Sequence, residues 1–422
     1  MFAPTGTACK PRRRSVHGGM IRLSRRAFLA RLAAAVPALL AASRSRAMPG
    51  SRADGPGVRL FLAGDVMTGR GIDQVLPHHV DPELHEPWVG SALEYVALAE
   101  AANGPIPRPV DFDYVWGDGL ARLEQAAPHA RIINLETAVT TSDAWLPKGI
   151  NYRMHPDNVP VLTAAGIHCA VLANNHVLDW GETGLLETLD VLHRAGIATA
   201  GAGADEEAAA APAVLPLDGG GRVLVFACGT GSSGVPRDWA ATPGRPGVTF
   251  LPDLAPATVD ALARRVARHR RPGDVVVVSI HWGGNWGFAI PAAQRAFARR
   301  LVEAGAADIV HGHSSHHVKG IEVHRDRLIL YGCGDLVNDY EGIRGHPPYR
   351  DDLGLMYFPR LDPATGALLA LPMAPMRLKR FRLHDAGADE TRWLLDVLNR
   401  EGKRLGTRAR PGDDGLLYLE WD

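Results

Sequence analysis

The sequence predicts an α/β protein, and three observations carry that reading. Short apolar runs of strand length recur along it: "VRLFLAGD", "RIINLE", "IHCAVLANN", "RVLVFACG", "DVVVVSIHWG", "ADIVHGH" and "RLILYGCGD". Helical patterns fall between them, over Thr183 to Ala195, Pro256 to Arg271 and Pro291 to Gly305. Runs such as "VVVVSI" are apolar at nearly every position, which suits strands covered on both faces. Strands that alternate with helices imply helix layers packed on sheet.

Taken in order, the first run starts at Val58, after a Pro/Gly/Ser-rich linker over residues 48–57. The stretch "AGAGADEEAAAAPAV" is biased in composition but short enough to be a helix-capped loop. From Ile321 to Leu383 strands and turns predominate, and a helix is expected from Glu390 to Arg400. Residues 58–340 therefore read as one layered domain, with 341–422 as strands and a helix packed on it. No repeat of fixed period is present.

Composition narrows the partners. Lys plus Arg number 46 and Asp plus Glu number 46, so no global charge selects a nucleic acid or a membrane surface. Hydrophobic residues make up 46% of the chain, enough for a large core. Cys169, Cys228 and Cys333 stand singly in apolar runs, as small buried hydrophobes do, and no spacing points to a disulfide framework or a zinc ribbon.

Chemistry gathers where the strands run out. Asp65 in "AGDVMTGR", Glu136 in "NLET", Asn174, Asn175 and His176 in "ANNHVLD", and His281 in "SIHWGGNWG" all sit at such ends. The stretch "VHGHSSHHVKGIEV" adds His311, His313, His316 and His317. His311 and His313 are two apart on a strand and face the same way, with Gly312 between them allowing close approach of another backbone or a ligand. Strand ends in layered α/β folds can converge on one edge, and carboxylate, imidazole and amide oxygen together suit a divalent metal. Arg70, Lys148 and Arg153 are candidate anion clamps, since a cationic side chain suits phosphate or carboxylate. Trp282 and Trp286 either wall the pocket or pack in the core; His168 and His193 read as structural.

The ordered motifs "GDVMTGR", "NLE", "NNHVLDWG", "HWG", "GHSSH" and "YGCGD", from about Arg59 to Asp339, resemble those of the CapA-type poly-gamma-glutamate capsule biosynthesis proteins, within the calcineurin-like metallophosphoesterase superfamily. The resemblance implies a four-layer α/β/β/α sandwich with its site at one edge and one or two divalent ions, Mn, Fe or Zn. By that resemblance Asp65 and His316 bind a first metal, Asn175, His281 and His313 a second, and Glu136 is a bridging carboxylate. His176 would protonate a leaving oxygen or steady the transition state, with Asp179 orienting its ring. The chain departs from the pattern at Met67, where the superfamily usually has a metal-binding His, and a thioether is a poor partner for hard cations. The extra residue in "GHSSH" leaves either His316 or His317 as the ligand, while His311 reads as a packing or hydrogen-bonding residue.

Three functions follow from this. One is a metal-dependent hydrolase of a phosphoester or related bond in cell-surface polymer metabolism. Another is a non-catalytic factor that binds an anionic polymer or docks on a membrane-bound synthase, and the third is a metal-independent acid–base enzyme on the same fold.

The N-terminus carries a separate signal. No acidic residue precedes Asp54, and "LSRRAFLARLAAAVPALLAAS" sets Arg25 and Arg26 ahead of an Ala/Leu-rich run. Residues 1–47 resemble a twin-arginine export signal ending in "SRA" at Ala47, with Met20 an alternative start, so the protein is expected to be periplasmic or at the cell surface, released or held by an uncleaved leader. Cell fractionation and N-terminal sequencing check this: an exported chain that begins after Ala47 is expected, and a cytoplasmic chain that keeps Arg25 overturns it.

Overall fold

The seven apolar runs all become strands, and their register builds two sheets. The computed structural model describes residues 57–422 apart from 219 and 344, so the expected leader and the linker through residue 56 lie outside the described residues. β1 (Val58–Val66), β2 (Ala130–Leu135), β3 (Cys169–Val171) and β4 (Ala198–Ala200) run parallel side by side. β5 (Arg222–Thr230), β6 (Val275–His281) and β7 (Ile309–His313) form a second parallel set. The antiparallel pair β8 (Ile321–His324) and β9 (Arg327–Leu330) extends it, with β9 parallel to β7.

The chain then returns to the first sheet. β10 (Asp335–Val337) lies parallel to β1. β11 (Leu353–Tyr357), β12 (Pro372–Lys379), β13 (Thr407–Pro411) and β14 (Leu417–Trp421) continue the sheet in antiparallel fashion, giving the order β13-β14-β12-β11-β1-β2-β3-β4. The C-terminal segment thus adds its strands to the sheet that holds β1, while the sheet of β5 to β9 is separate.

Alternation along the strands sets the packing. Val223, Val225 and Ala227 of β5, with Val275 and Val277 of β6, join the core cluster that holds the first sheet's side chains. Their neighbours Leu224, Phe226, Val276, Val278 and Ile280 point the other way. There they pack on Val259, Leu262 and Val266 of the helix Pro256–His269 and on Phe297 and Leu301 of the helix Ala292–Glu303. Fully burying each such side chain contributes about 1.5–3 kcal/mol, which is why the run "VVVVSI" is apolar on both faces. Cys169, Cys228 and Cys333 are free and buried. Among the described residues no helix is long and apolar enough to cross a membrane.

The expected helices form at Gly181–Arg194, Pro256–His269, Ala292–Glu303 and Ala388–Gly402. Among those not foreseen are Ala92–Asn103 and Gly119–Ala126. The first is rich in alanine and lacks a clear polar face, so its sequence carries little helical periodicity; Ser91 caps it by accepting from the Leu93 amide at 3.3 Å.

Two glycines let the strands meet at the site edge. A Cβ on Gly64 would stand 1.9 Å from the Gly334 carbonyl oxygen, and one on Gly312 would stand 2.6 Å from that of Leu330. At Gly64 the register of β1 against β2 shifts, between Ala63 and Asp65, which presents Asp65 to the edge. Gly64→Ala should therefore destabilise the protein by about 1–3 kcal/mol or more, the range for overpacking a buried site; urea unfolding measures it, and an unchanged midpoint would contradict the close approach.

Candidate metal centre

Register brings the chemical groups together in pairs. His281 and His313 are register partners at the ends of β6 and β7, and their Nδ1 atoms are 2.7 Å apart. Asp65 and Asp335 are partners across β1 and β10. Glu136 follows β2 directly, and Asn175 and His176 follow the short β3. The first sheet therefore supplies the carboxylates and the second supplies two imidazoles.

Two groups of side chains could each hold a metal ion: Asp65 with His281 and His313, and Asp65 with His316 and Asp335. In both, the candidate ligand atoms lie within 4.8 Å of one another and every residue is buried. Asp65 is shared between them. His313 Nδ1 is 3.8 Å from Asp65 Oδ1, and His281 Nε2 is 2.9 Å from Asn175 Oδ1 and 3.7 Å from Glu136 Oε1. On the other side His316 Nδ1 is 2.9 Å from Asp335 Oδ1, and Asn285 Nδ2 is 3.0 Å from His316 Nε2.

Of the two adjacent histidines, His316 lies in the centre. His317 Nδ1 is instead 3.1 Å from the Val318 carbonyl, and its ring stacks on Tyr349. His311 is a hydrogen-bonding residue, with Nδ1 3.0 Å from Ser279 Oγ and Nε2 2.8 Å from the Ala63 carbonyl. Met67 is buried, and its sulfur accepts from the Tyr340 hydroxyl at 3.6 Å. The second group includes Asp335, which sequence reasoning did not place among the ligands. Its signal was in the motif "YGCGD", but only the pairing of β10 with β1 shows that this carboxylate faces Asp65.

Neutral donors hold the carboxylates. Asn134 Nδ2 donates to Asp65 Oδ1 at 2.7 Å and the Ser314 amide to Asp65 Oδ2 at 3.2 Å. Asn338 Nδ2 donates to Asp335 Oδ2 at 3.0 Å. Asn174 is a turn clamp, donating to the Leu135 carbonyl at 2.8 Å and accepting from the His176 and Val177 amides at 3.1 Å each.

Burial and mutual repulsion set the protonation. Burial first, and then the charge of Asp335, push the Asp65 carboxyl up to about 7. Glu136 is raised well above the usual carboxylate range by burial and by the charges of Asp65 and Asp335. Burial holds His281 and His313 well below the ordinary imidazole value, and so neutral. His316 is pulled down by burial, but the charge and hydrogen bond of Asp335 outweigh that and raise it.

His176 lies beside this centre. Its Nδ1 is 2.7 Å from Asp179 Oδ2, and its Nε2 is 3.8 Å from Glu136 Oε1. Burial takes the ring down to about 4 despite Asp179.

The three expected anion clamps divide. Lys148 Nζ reaches His176 Nδ1 at 3.2 Å and donates to Asp179 Oδ1 at 2.6 Å, so it belongs to the centre. Arg70 is buried, with its guanidinium on Asp339 and on Glu86 at 2.9 Å. Arg153 donates to Asp143 Oδ1 at 2.8 Å and lies 3.8 Å over the Trp180 ring. Trp282 is a core residue that donates to the Tyr331 carbonyl at 3.0 Å; Trp286 is half-buried and stands 5.4 Å from the His316 ring. His168 accepts from the Arg131 amide at 3.1 Å and His193 pairs with Thr199 at 2.9 Å, both structural contacts.

Fold and centre together define a two-sheet α/β protein whose strand ends enclose carboxylate and histidine groups able to hold a metal. Residues 59–340 match the family described as bacterial capsule synthesis protein PGA_cap, and the chain belongs to that family. It is 48% identical over 364 residues, 86% of this chain and 96% of the other, to the "probable polyglutamine synthesis accessory protein" of Mycobacterium tuberculosis strain H37Rv. It is also 27% identical over 282 residues, 66% of this chain and 62% of the other, to the "PGA biosynthesis protein CapA" of Bacillus subtilis. The "capsule biosynthesis protein CapA" of Bacillus anthracis is 27% identical over 230 residues, 54% of this chain and 52% of the other. The CapA-type resemblance read from the motifs is borne out.

The pair His316–Asp335 yields a pH prediction. The folded protein holds His316 above its ordinary 6.5, so the pair stabilises fully below pH 6.5 and loses that contribution as pH rises through the folded value. In Asp335→Asn the two largest raising causes are gone, Asp65 and Asp351 remain, and burial weighs more heavily against charged His316. Denaturation of the metal-free proteins should show the wild type's advantage over the variant greatest below pH 6.5 and shrinking above it; a gap that grows with pH would refute the pairing.

Proposed function

We propose that this chain is an exported metal-dependent hydrolase serving the synthesis of polyglutamate or a related cell-surface polymer, acting on a phosphoester or a related bond. The observation that carries the reading is the meeting of Asp65, Glu136 and Asp335 with His281, His313 and His316, all buried. Three buried carboxylates repel one another, and burial without a counter-ion is costly, so the arrangement is stabilised by a cation. The residues fit one. Glu136 Oε2 is buried without a hydrogen-bond partner, and His281 and His313 are held in the neutral form that ligates.

Asp65, His281 and His313, with Asn175, would hold one ion, and Asp65, His316 and Asp335 the other, with Glu136 a further carboxylate beside His281. Mixed oxygen and nitrogen donors suit Mn, Fe or Zn. Such ions supply Lewis acidity toward a phosphoryl group. The protein's own part is positional and protonic. Asp179 accepts a hydrogen bond from His176 Nδ1–H and leaves Nε2 facing the centre, where it would take the proton that the attacking water gives up and pass it to the leaving oxygen. Lys148 braces Asp179 and adds positive charge where an anionic substrate would lie.

The four-layer α/β/β/α sandwich of the calcineurin-like superfamily belongs to this reading. The alternation of β5 and β6 between the first sheet and two helices supports it. The names of the relatives support the role in polymer synthesis, with a membrane-bound synthase or the anionic polymer as partner, and the twin-arginine pattern supports export.

Elemental analysis of protein purified without added metal tests the centre: about one to two equivalents of Mn, Fe or Zn are expected, largely lost in His281→Ala and His313→Ala. Phosphoester hydrolysis should stop in chelator and return with metal, and His176→Ala should lower its rate about 10²–10⁴-fold with metal content unchanged. Protein that binds no metal and hydrolyses nothing would favour a polymer-binding or synthase-docking role. Activity that survives chelation would favour metal-independent acid–base chemistry.

A further inference from the structure

Behind His313 runs a buried chain of hydrogen bonds that leads away from the centre. His313 Nε2 is 2.8 Å from Ser279 Oγ, Ser279 Oγ is 3.0 Å from His311 Nδ1, and His311 Nε2 is 2.8 Å from the Ala63 carbonyl oxygen. All three side chains are at most 1% exposed. The chain ends at the register shift that also presents Asp65.

The far end fixes every proton along it. A carbonyl oxygen only accepts, so His311 Nε2 carries the hydrogen. Among the described residues no carboxylate is a hydrogen-bond or ion-pair partner of His311, and a buried imidazolium without one is disfavoured, so the ring is neutral and its Nδ1 is a bare lone pair. Ser279 must then donate its single hydroxyl proton to His311. Its oxygen can only accept from His313, which places a hydrogen on His313 Nε2. A neutral His313 has no second hydrogen, and its bare Nδ1 faces Asp65 Oδ1 at 3.8 Å and His281 Nδ1 at 2.7 Å.

We propose that Ser279 and His311 are positioning residues that lock His313 in its Nε2–H tautomer and so make Nδ1 its metal-binding atom. The opposite tautomer would aim an N–H at the centre, and an N–H cannot ligate. The consequence for metal binding rests on the proposed function, whereas the tautomer itself is a property of the metal-free protein.

The test uses metal-free protein carrying ¹⁵N-histidine, with the His313 signals identified by their loss in His313→Gln. A pyridine-like Nδ1 and a pyrrole-like Nε2 are expected. In Ser279→Ala the two forms should mix, and Zn²⁺ affinity, read by competition with a chromophoric chelator, should fall about 10–100-fold, while Ser279→Thr, which keeps the hydroxyl, should stay within about threefold of wild type. Melting curves confirm that both variants fold. A hydrogen on His313 Nδ1 in the wild type would overturn the proposal, as would a Ser279→Ala variant with unchanged tautomer and unchanged Zn²⁺ affinity. Wild type that shows the Nε2–H form yet binds no Zn²⁺ would uphold the lock and refute the metal reading.

Discussion

Concentrating like charge in a dry place is the constraint on which the rest of this structure depends. Asp65, Glu136 and Asp335 are almost wholly buried where the two sheets meet; Asp335 raises the cost of ionising Asp65, and both raise that of Glu136. No surface arrangement would need such support. The surrounding architecture answers that cost with oriented neutral donors: Asn134 and the Ser314 amide on Asp65, and Asn338 on Asp335. Each gives the carboxylate a hydrogen bond without supplying the positive charge that would neutralise it. Carboxyl groups so gathered, with histidines beside them, could hold a cation.

The same economy governs the cations nearby. Arg70 is buried, but Asp339 and Glu86 take its guanidinium and aromatic rings cover it, with Tyr95 at 3.8 Å and Tyr152 at 4.4 Å. A planar, permanently charged group is well suited to such a closed cage. It braces the loop after β1 without entering the carboxylate group. Lys148 is the cation that does border the centre, and its position by Asp179 and His176 gives the histidine pair a charged neighbour.

Much of this was legible in the chain. The strands could be read because β-branched apolar runs have little alternative to burial between layers, and the helices Gly181–Arg194 and Pro256–His269 because their apolar faces repeat at helical spacing. The helix Ala92–Asn103 was not, since alanine satisfies a helix without marking a face. The ligand types were legible from strand-terminal Asp65, Glu136, His281 and His313. Asp335 was missed because it begins a strand, and a carboxylate there looks like any loop residue until a partner strand is known. Ser279 was missed for a similar reason, as one hydroxyl in an apolar run.

The sequence by itself determined the seven core strands, four of the helices, the stock of donors and the family, because these depend on local preference and on motif order. Tertiary structure alone decided which donors share a space. It chose His316 over His317, set Asp335 opposite Asp65, and turned Arg153 to Trp180 and Asp143. The physical reason is that proximity between residues hundreds of positions apart is fixed by strand register and by close approach at Gly64 and Gly312, and neither is written in any short stretch of chain.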